Sequence, residues 1–295
     1  MEYVADFHLH SKYSRAVSQD MIIPRMAQVA KQKGIDILTA SDWTHGLWFK
    51  EIRNQLEEQS EGLYKIKYQI SNIKNTNQNS KISADRETLF ILSTEIASIY
   101  TQGGKLRRIH NLIFAPNFEI AEKINKELTR RGCNLMSDGR PIIGISSKNL
   151  LELILSIDER AILIPCHVWT PHFGVYGSAS GFDSLEEAFG ELSKYIYGIE
   201  TGLSSDPQMN WQIKELENRS ILSFSDAHSP AKMGREATVF QLEKPSYENI
   251  RKAIMRNSIT STTSTILADT EIAKLFMVQK KLKKKEIPAR FAIGV

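Results

Sequence analysis

Short apolar segments rich in β-branched residues alternate along the chain with segments in which apolar residues recur at helical spacing. The apolar segments predict strands over residues 3–8, 35–40, 89–94, 109–114, 161–165, 195–200 and 220–224. The intervening segments predict helices over residues 24–33, 47–58, 118–131, 147–156, 184–193, 207–218 and 247–256. Strands separated by helices favour an α/β fold with a parallel sheet or a barrel of β/α units. The number of predicted strands fits one closed barrel better than two domains.

One pair of predicted strands departs from this alternation. The strands over 89–94 and 109–114 are separated only by a polar link, 95–108, which contains Gly103 and Gly104. A link of this kind predicts an antiparallel hairpin. The end of the first strand then lies beside the start of the second, so we expect Glu95 to lie next to His110.

The periodic pattern weakens near residue 263, and this point separates two regions. We expect one domain over 1–263 and a basic C-terminal tail over 264–295. Seven basic residues and one acidic residue lie in 274–295, a net charge of +6, against +4 for the whole chain, so the rest carries −2. The body is therefore not a globally basic nucleic-acid binder. An Asn-rich segment, 71–81, is predicted to be a disordered loop.

Composition places the chain among globular proteins. Hydrophobic residues make up 41% and charged residues 24%, and no apolar run is long enough to cross a bilayer. The two cysteines, Cys133 and Cys166, do not form a disulfide framework. The first residues have neither the basic nor the apolar region of a secretory signal. We expect a cytoplasmic protein with no membrane partner.

All histidines of the chain follow, or lie at, the ends of predicted strands: His8, His10, His45, His110, His167, His172 and His228. His8 and His10 are two residues apart on a strand, so both side chains point to one face and can bind one ion. Asp226-Ala227-His228 repeats this alternation at another strand end, and Glu95 ends its own strand. Because a β/α barrel gathers its C-terminal strand ends at one mouth, we expect these side chains to converge there.

Imidazole and carboxylate groups are ligands of zinc, manganese and iron. The predicted metal ligands are His8, His10, Asp42, His45, Glu95, His110, His167, Asp226 and His228. These ligands are too many for one tetrahedral ion, so we expect two or three divalent ions that share a bridging carboxylate, an arrangement suited to phosphoryl chemistry. A catalytic pair of Cys166 and His167 is the less favoured alternative, because adjacent side chains on a strand face opposite ways.

The ordered motifs resemble those of the PHP (polymerase and histidinol phosphatase) superfamily: His8-Leu9-His10-Ser11, Asp42, Glu95, His110, His167 and Ser225-Asp226-Ala227-His228. The resemblance implies a distorted (β/α)7 barrel of PHP type, with a short C-terminal extension, and a site for two or three metal ions. Longer motifs that begin at His167, Gly181, Glu200 and Gly234 resemble the endonuclease Q branch and extend the similarity over residues 1–258. Members of that branch cut DNA on the 5′ side of deaminated bases and at abasic sites.

Two features depart from the pattern of this branch. Many PHP proteins have His where this chain has Trp43, and His45 could serve instead. The branch also continues into a Cys-rich zinc-ribbon-like segment, whereas residues 259–295 contain no cysteine. Metal binding would survive that difference, but it puts DNA affinity and lesion recognition in question.

The resemblance implies metal-dependent phosphodiester hydrolysis, with damaged DNA as the partner. The catalytic residues it implies are His8, His10, Glu95, His167, Asp226 and His228. His8, His10 and Asp226 would hold one ion, His110 and His167 a second, and Asp42, His45 or His228 a third. The alternatives are a phosphatase for a small ester, such as histidinol phosphate or a nucleotide, and an inactive metal-binding remnant.

Four residues are candidates for substrate contact. Arg107 and Arg235 offer guanidinium groups to phosphates, and Trp169 and His172 offer rings to a base. The alternatives are solvated surface arginines, a Trp169 that packs the barrel rim, and a solvated His172. The lysine-rich run 280–285 either contacts DNA phosphates or is a solvated tail.

Overall fold

The structure is a computed structural model that describes residues 1–67 and 87–256 and, by backbone alone, two further short strands. The strands are β1 (Glu2–Asp6), β2 (Ile37–Thr39), β3 (Leu56–Ser60), β4 (Leu63–Ile66), β5 (Leu89–Gln102), β6 (Lys105–Ala115), β7 (Ile142–Ile143), β8 (Ile162–Pro165), β9 (Gly198–Glu200), β10 (Ser220–Leu222), β11 (Glu236–Gln241), β12 (Thr263–Leu267) and β13 (Phe276–Met277). The helices are α1 (Ile23–Lys33), α2 (Gly46–Gln55), α3 (Phe118–Arg130), α4 (Ser147–Ile157), α5 (Leu185–Phe189), α6 (Pro207–Asn210) and α7 (Tyr247–Ile254). The Asn-rich segment 71–81 and most of the tail lie outside the described residues.

Most helices begin close to the predicted residue. The reason is that side chains at their first turns form hydrogen bonds to the backbone, and the sequence shows these residues directly. The side chain of Asn117 accepts a hydrogen bond from Ile120 N at the start of α3, and Ser146 does the same for α4. Helix α1 begins with Pro24 in its first turn and ends at Gly34, whose φ of 73° few other residues adopt. Among the helices of the described ranges, none has both the length and the apolar character needed to cross a membrane.

The main sheet is mixed and has eleven strands. Strand β1 pairs parallel with β2, and β2 pairs parallel with β5. Strand β6 is antiparallel to both β5 and β8, and β11 is antiparallel to β1. Strands β9 and β10 form a separate parallel pair. The fold is therefore mixed α/β, as the alternation of strands and helices predicts.

The ladders between the described strands do not close into the expected barrel. Strands β9 and β10 have three residues each and form no ladder with the described strands of the main sheet. Val168 N donates to Glu200 O at 3.1 Å, and a single bridge joins Leu9 to Ala227. The first contact joins β9 to the segment that follows β8, and the second joins the segments that follow β1 and β10. No ladder forms at either place, but the strand ends are brought together.

The predicted hairpin is confirmed, but its strands are longer than expected. Strands β5 and β6 pair from Leu92 and Ala115 down to a turn through Gly103 and Gly104, with φ of 59° and 71°. The prediction of a polar link over 95–108 is therefore wrong except at this turn. The segment stays extended because Ile96, Ser98 and Tyr100, which lie two residues apart on one face of the strand, are all buried.

Three predicted helices are shorter than expected. The helix expected over 47–58 ends at Gln55, because the next residues pair with β4 as strand β3. The helices expected over 184–193 and 207–218 each become a short α-helix followed by a 3₁₀ turn. Strand β11, which the periodic pattern misses, lies antiparallel to β1 and covers its free edge.

An aromatic cluster fixes the end of β1. Phe7 packs against Phe114, Phe224 and Phe240 with ring centroids 5.8, 5.2 and 5.5 Å apart, and all four side chains are almost fully buried. These rings come from the ends of four different strands or their exits. Because Phe7 directly precedes His8, the cluster holds the first histidine of the site in place.

Candidate metal centre

Residues that lie in or just after five strands converge in one buried region: His8, His10, Glu95, His110, His167 and Asp226. His8 and His10 follow β1, Glu95 lies in β5, and His110 faces it from β6. His167 follows β8 and Asp226 follows β10. The sequence predicted each of these six as a metal ligand, and the structure brings all of them together.

Glu95 lies at the centre of this group. Its Oε1 is 2.6 Å from His110 Nδ1 and 3.2 Å from His167 Nε2. Its Oε2 is 3.3 Å from His10 Nε2, and Oε1 is 3.6 Å from His8 Nε2. The predicted neighbour relation between Glu95 and His110 is confirmed. A carboxylate with imidazoles on both oxygens has the geometry of a bridging ligand.

Three overlapping sets of three ligand atoms share this space, and two of them consist of histidines and carboxylates alone. One set comprises His8, His10 and Asp226, and the other comprises Glu95, His110 and His167; within each set the atoms lie within 4.8 Å of one another. Asp226 Oδ1 is 3.2 Å from His10 Nε2 and 3.7 Å from His8 Nε2. These two sets contain the residues that the resemblance groups around two ions, an assignment that stays a prediction.

Several polar atoms in the first set are buried and lack a hydrogen-bond partner: His8 Nε2, His10 Nε2 and Asp226 Oδ1. Leaving such atoms unsatisfied in the interior costs about 1–3 kcal/mol each. A divalent cation would bind these nitrogen and oxygen atoms, and the donor set suits zinc, manganese or iron. The residues therefore fit a metal ion.

Carboxylates behind the histidines fix their ring orientation. His8 Nδ1 is 2.8 Å from Glu200 Oε1, and His10 Nδ1 is 3.1 Å from Asp42 Oδ1. Asp42 is itself held by Ser11 N at 2.6 Å and Ser14 Oγ at 2.8 Å. Each ring therefore turns its Nε2 toward the centre, an arrangement typical of metal-binding histidines.

Three residues of the site adopt a left-handed backbone conformation that is rare for residues other than glycine. The φ angles are 54° for Asp42, 29° for His167 and 45° for Asp226. Each such residue costs on the order of 1–3 kcal/mol, so the surrounding structure must enforce it. Strain at three strand exits of one pocket is typical of a functional site.

The histidines and carboxylates shift one another's pKa values. Burial alone would lower the pKa of His8, but Glu200, Glu95 and Asp226 outweigh it and hold that pKa well above 6.5. Burial would likewise raise the pKa of Glu95, but His110 and His8 hold it well below 4.5. Burial lowers the pKa of His110 to about 4. Protonated imidazole and a cation compete for this place, so metal binding would release protons.

The residues expected to hold a third ion lie apart from the two sets. Asp42 faces the far side of His10, and the His45 ring stacks on Tyr13 with centroids 4.5 Å apart. His228 Nδ1 lies 2.9 Å from Asp226 O, with its ring 4.7 Å from that of His10. Within the described part of the chain, no group of candidate ligand atoms includes any of these three residues.

The two candidate arginines are both engaged with nearby backbone. Arg107 donates to Gly181 O, and its guanidinium lies 4.0 Å from the ring centroid of Phe182. Arg235 Nε donates to Ser225 O at 2.6 Å, which ties down the loop that carries Asp226. Both arginines therefore bind the protein's own backbone, and Arg235 binds the residue that directly precedes the predicted ligand Asp226.

The two candidate rings differ in their surroundings. Trp169 stacks on Tyr176 with centroids 4.8 Å apart and donates from Nε1 to Asn210 Oδ1 at 2.8 Å. It is half-buried, as the packing alternative for this residue requires. His172 is exposed in the same loop.

Two further residues of the site were not assigned a role from the sequence. Glu200 orients His8, and its position at the end of a predicted strand was the available signal. Arg140 places Nη1 3.1 Å from Glu95 Oε2, with 26% of its side chain exposed. Arg140 lies in the irregular segment before β7, where no local pattern marks it.

No family model matches the chain. It is 29% identical over 174 residues to the uncharacterized protein YqxK of Bacillus subtilis, a match that covers 57% of this chain and 42% of that protein. It is 27% identical over 166 residues to the uncharacterized protein MJ0043 of Methanocaldococcus jannaschii, a match that covers 56% of this chain and 16% of that protein. The chain thus spans less than half the length of the curated relatives it matches.

Two solved structures are similar to this one over most of the chain. The lesion-specific endonuclease PfuEndoQ of Pyrococcus furiosus has a TM-score of 0.73 and 28% identity, covering 88% of this chain and 57% of that protein. Endonuclease Q in complex with a 27-mer duplex that carries an abasic lesion at the active site gives the same TM-score and identity, with 58% of that chain covered. In fold, and in more than a quarter of the aligned residues, the chain is similar to DNA endonucleases specific for lesions.

Proposed function

We propose that this chain is a metal-dependent phosphodiesterase that cuts DNA at deaminated bases or abasic sites. The observation that carries the proposal is the pair of three-residue sets joined at Glu95, in a chain that superposes on lesion-specific endonucleases. The buried, unpartnered atoms of His8, His10 and Asp226 support metal dependence. We assign the activity to residues 1–263, with a PHP-type fold, and treat 264–295 as a basic extension.

In this proposal His8, His10 and Asp226 hold one divalent ion, and His110 and His167 hold a second. Glu95 would be available to either ion, because its oxygens contact histidines of both sets. When bound, such ions supply a nucleophilic water of lowered pKa and offset negative charge on the phosphodiester. All remaining contributions come from side chains of the protein.

The chain's own residues position the ligands and the substrate. Glu200 and Asp42 keep Nε2 of His8 and His10 turned inward. Arg140, partly exposed beside Glu95, would donate to a phosphate oxygen and stabilise charge that develops there. His228 has 29% of its side chain exposed and Nδ1 2.9 Å from the Asp226 carbonyl, so it would donate a proton from Nε2 to the leaving oxygen only as the imidazolium, a form that burial disfavours by lowering its pKa.

Recognition of a deaminated base needs contact with that base once it has left the duplex stack. His172 is exposed in the loop after His167 and is proposed to contact it, together with the accessible edge of Trp169. Arg107 and Arg235 hold the backbone that shapes this entrance. They are proposed as residues near the substrate whose main contacts are to the protein.

A small phosphate ester is the second candidate substrate. Residues 1–273 have a net charge of −2 and the assigned domain, 1–263, has none, whereas proteins bind DNA through basic contacts. This charge balance favours a smaller substrate over DNA.

A comparison of substrates on the metal-loaded protein tests these proposals. The substrates are duplexes with uracil, hypoxanthine or an abasic site, the undamaged duplex, and p-nitrophenyl phosphate. Strand cleavage only beside the lesion supports the proposed endonuclease. Hydrolysis of the small ester alone supports the second candidate, and inertness toward all of them with metal bound would leave a metal-binding remnant.

A further inference from the structure

The floor of the metal centre contains a thiol. Cys166 is fully buried, and its Sγ lies within 4.8 Å of ligand atoms of His8 and Glu95. The only hydrogen bond of this thiol in the described structure is a weak one, to Ile164 O at 3.9 Å. The thiol is therefore not held by a strong polar partner.

His8 is an independent indication that a ligand belongs here. Its Nε2 is fully buried and has no hydrogen-bond partner, although Nδ1 is fixed by Glu200 at 2.8 Å. The fixed ring directs Nε2 toward the space that Glu95 Oε1, at 3.6 Å, and Cys166 border. A nitrogen, an oxygen and a sulfur atom thus face one buried point.

We propose that Cys166 is a sulfur ligand of the ion held by His8, so that this half of the centre prefers a thiophilic divalent cation. The inference deepens the proposed function, on whose metal site it depends. On binding, the thiol S–H bond breaks, its proton passes to solvent, and a sulfur lone pair forms the bond to the metal. Thiolate favours zinc and cobalt over manganese and magnesium, which prefer oxygen ligands.

The sequence alone favours a different interpretation, in which Cys166 is a small buried hydrophobic residue with no role in metal binding. Cys166 does border the aromatic cluster of Phe7 and Phe114, so packing is one of its roles. Packing alone, however, would be served by an alanine or valine and does not require sulfur beside the buried Nε2 of His8.

Cobalt substitution tests the proposal by absorption spectroscopy. Thiolate bound to Co²⁺ gives a charge-transfer band in the near-ultraviolet, whereas nitrogen and oxygen ligands give only visible bands. The decisive protein is Cys133→Ser, because Cys166 is then the only cysteine of the chain. We expect this variant to show both bands, and visible bands without the near-ultraviolet band would overturn the proposal.

Two further variants separate the sulfur ligand from a packing role. In Cys166→Ala and Cys166→Ser we expect the near-ultraviolet band to disappear and zinc affinity relative to manganese to fall about tenfold or more, with Cys133→Ser unchanged. If folded Cys166→Ala keeps the wild-type ratio of zinc to manganese affinity, the proposal for Cys166 is wrong. That result would not bear on lesion cleavage, which is measured separately. If the wild-type protein binds no Co²⁺ at all, the proposed metal-dependent function fails together with this inference.

Discussion

Arg140 and Glu95 form an ion pair inside the metal centre, with Nη1 of Arg140 3.1 Å from Oε2 of the carboxylate that four imidazoles surround. Because the guanidinium is partly exposed, it can reach a substrate phosphate as well as Glu95. We expect Arg140→Gln to lower kcat/KM for lesion cleavage by about 100-fold. Steady-state kinetics at saturating metal measure this effect.

The same variant separates substrate contact from simple charge compensation at Glu95. If Arg140 acts on the phosphate, metal affinity stays equal or rises when the positive charge is removed, and Arg140→Lys recovers only part of the activity because it cannot donate two parallel hydrogen bonds. Arg130→Gln, which alters an exposed ion pair with Glu127 on α3, is the matched control. Wild-type kinetics in Arg140→Gln would contradict the role.

Glu200 is expected to act through His8. Glu200→Gln keeps the shape of the side chain but removes the charge that faces His8 Nδ1 at 2.8 Å. We expect metal affinity to fall about 10–100-fold, as for other carboxylates behind metal-binding histidines. Titration with a chelating competitor measures the affinity, and Glu191→Gln, an exposed partner of Lys148, is the control. An affinity equal to that of Glu191→Gln would show that Glu200 has no such role.

His10→Ala removes a ligand that lies between both sets. Its Nε2 is 3.2 Å from Asp226 Oδ1 and 3.3 Å from Glu95 Oε2. We expect the bound metal to decrease and hydrolysis to be abolished, as measured by elemental analysis and by cleavage of the lesion duplex. Gln28→Ala on the exposed side of α1 is the control for handling of the protein. Full activity in His10→Ala would refute its assignment as a ligand.

Glu236 predicts a pH dependence of stability. It is buried on β11, where Ser223 Oγ donates to its Oε2 at 2.5 Å. Burial, reinforced by the nearby carboxylates of Glu200 and Asp6, raises its pKa from 4.5 to about 8. The folded protein therefore favours the protonated carboxyl of Glu236. Its contribution to the free energy of unfolding is complete below about pH 4.5 and is lost as the pH rises through about 8.

Replacement of this carboxyl by an uncharged amide should remove the effect. We expect the free energy of unfolding of Glu236→Gln to exceed that of the wild type increasingly at alkaline pH, by on the order of 2–4 kcal/mol near pH 9 relative to pH 5. Urea unfolding at several pH values measures the difference. The exposed Glu119→Gln on α3 should follow the wild-type curve. Parallel curves for Glu236→Gln and wild type would contradict the raised pKa.

Local patterns in the sequence were sufficient where the structure depends on local interactions. Capping residues such as Asn117 and Ser146 mark the start of helices because their side chains bond to the backbone within the same turn. The extent of β5 and β6 was harder to predict, since the polar residues and two glycines of 101–108 resemble a link when read without the strand pairing. Propensity also failed at β3, where pairing with β4 ends the helix early.

The sequence by itself determined which residue types follow each strand, and therefore that His8, His10, Glu95, His110, His167 and Asp226 are candidate ligands. Only the tertiary structure decided that these six meet, that Asp42 and His228 contact His10 from outside the described sets of candidate ligand atoms, and that Glu200, Arg140 and Cys166 face the same region. The physical reason is range: strand ends follow from the local hydrophobic period, whereas contacts between them depend on pairing across up to 218 positions, such as His8 with Asp226.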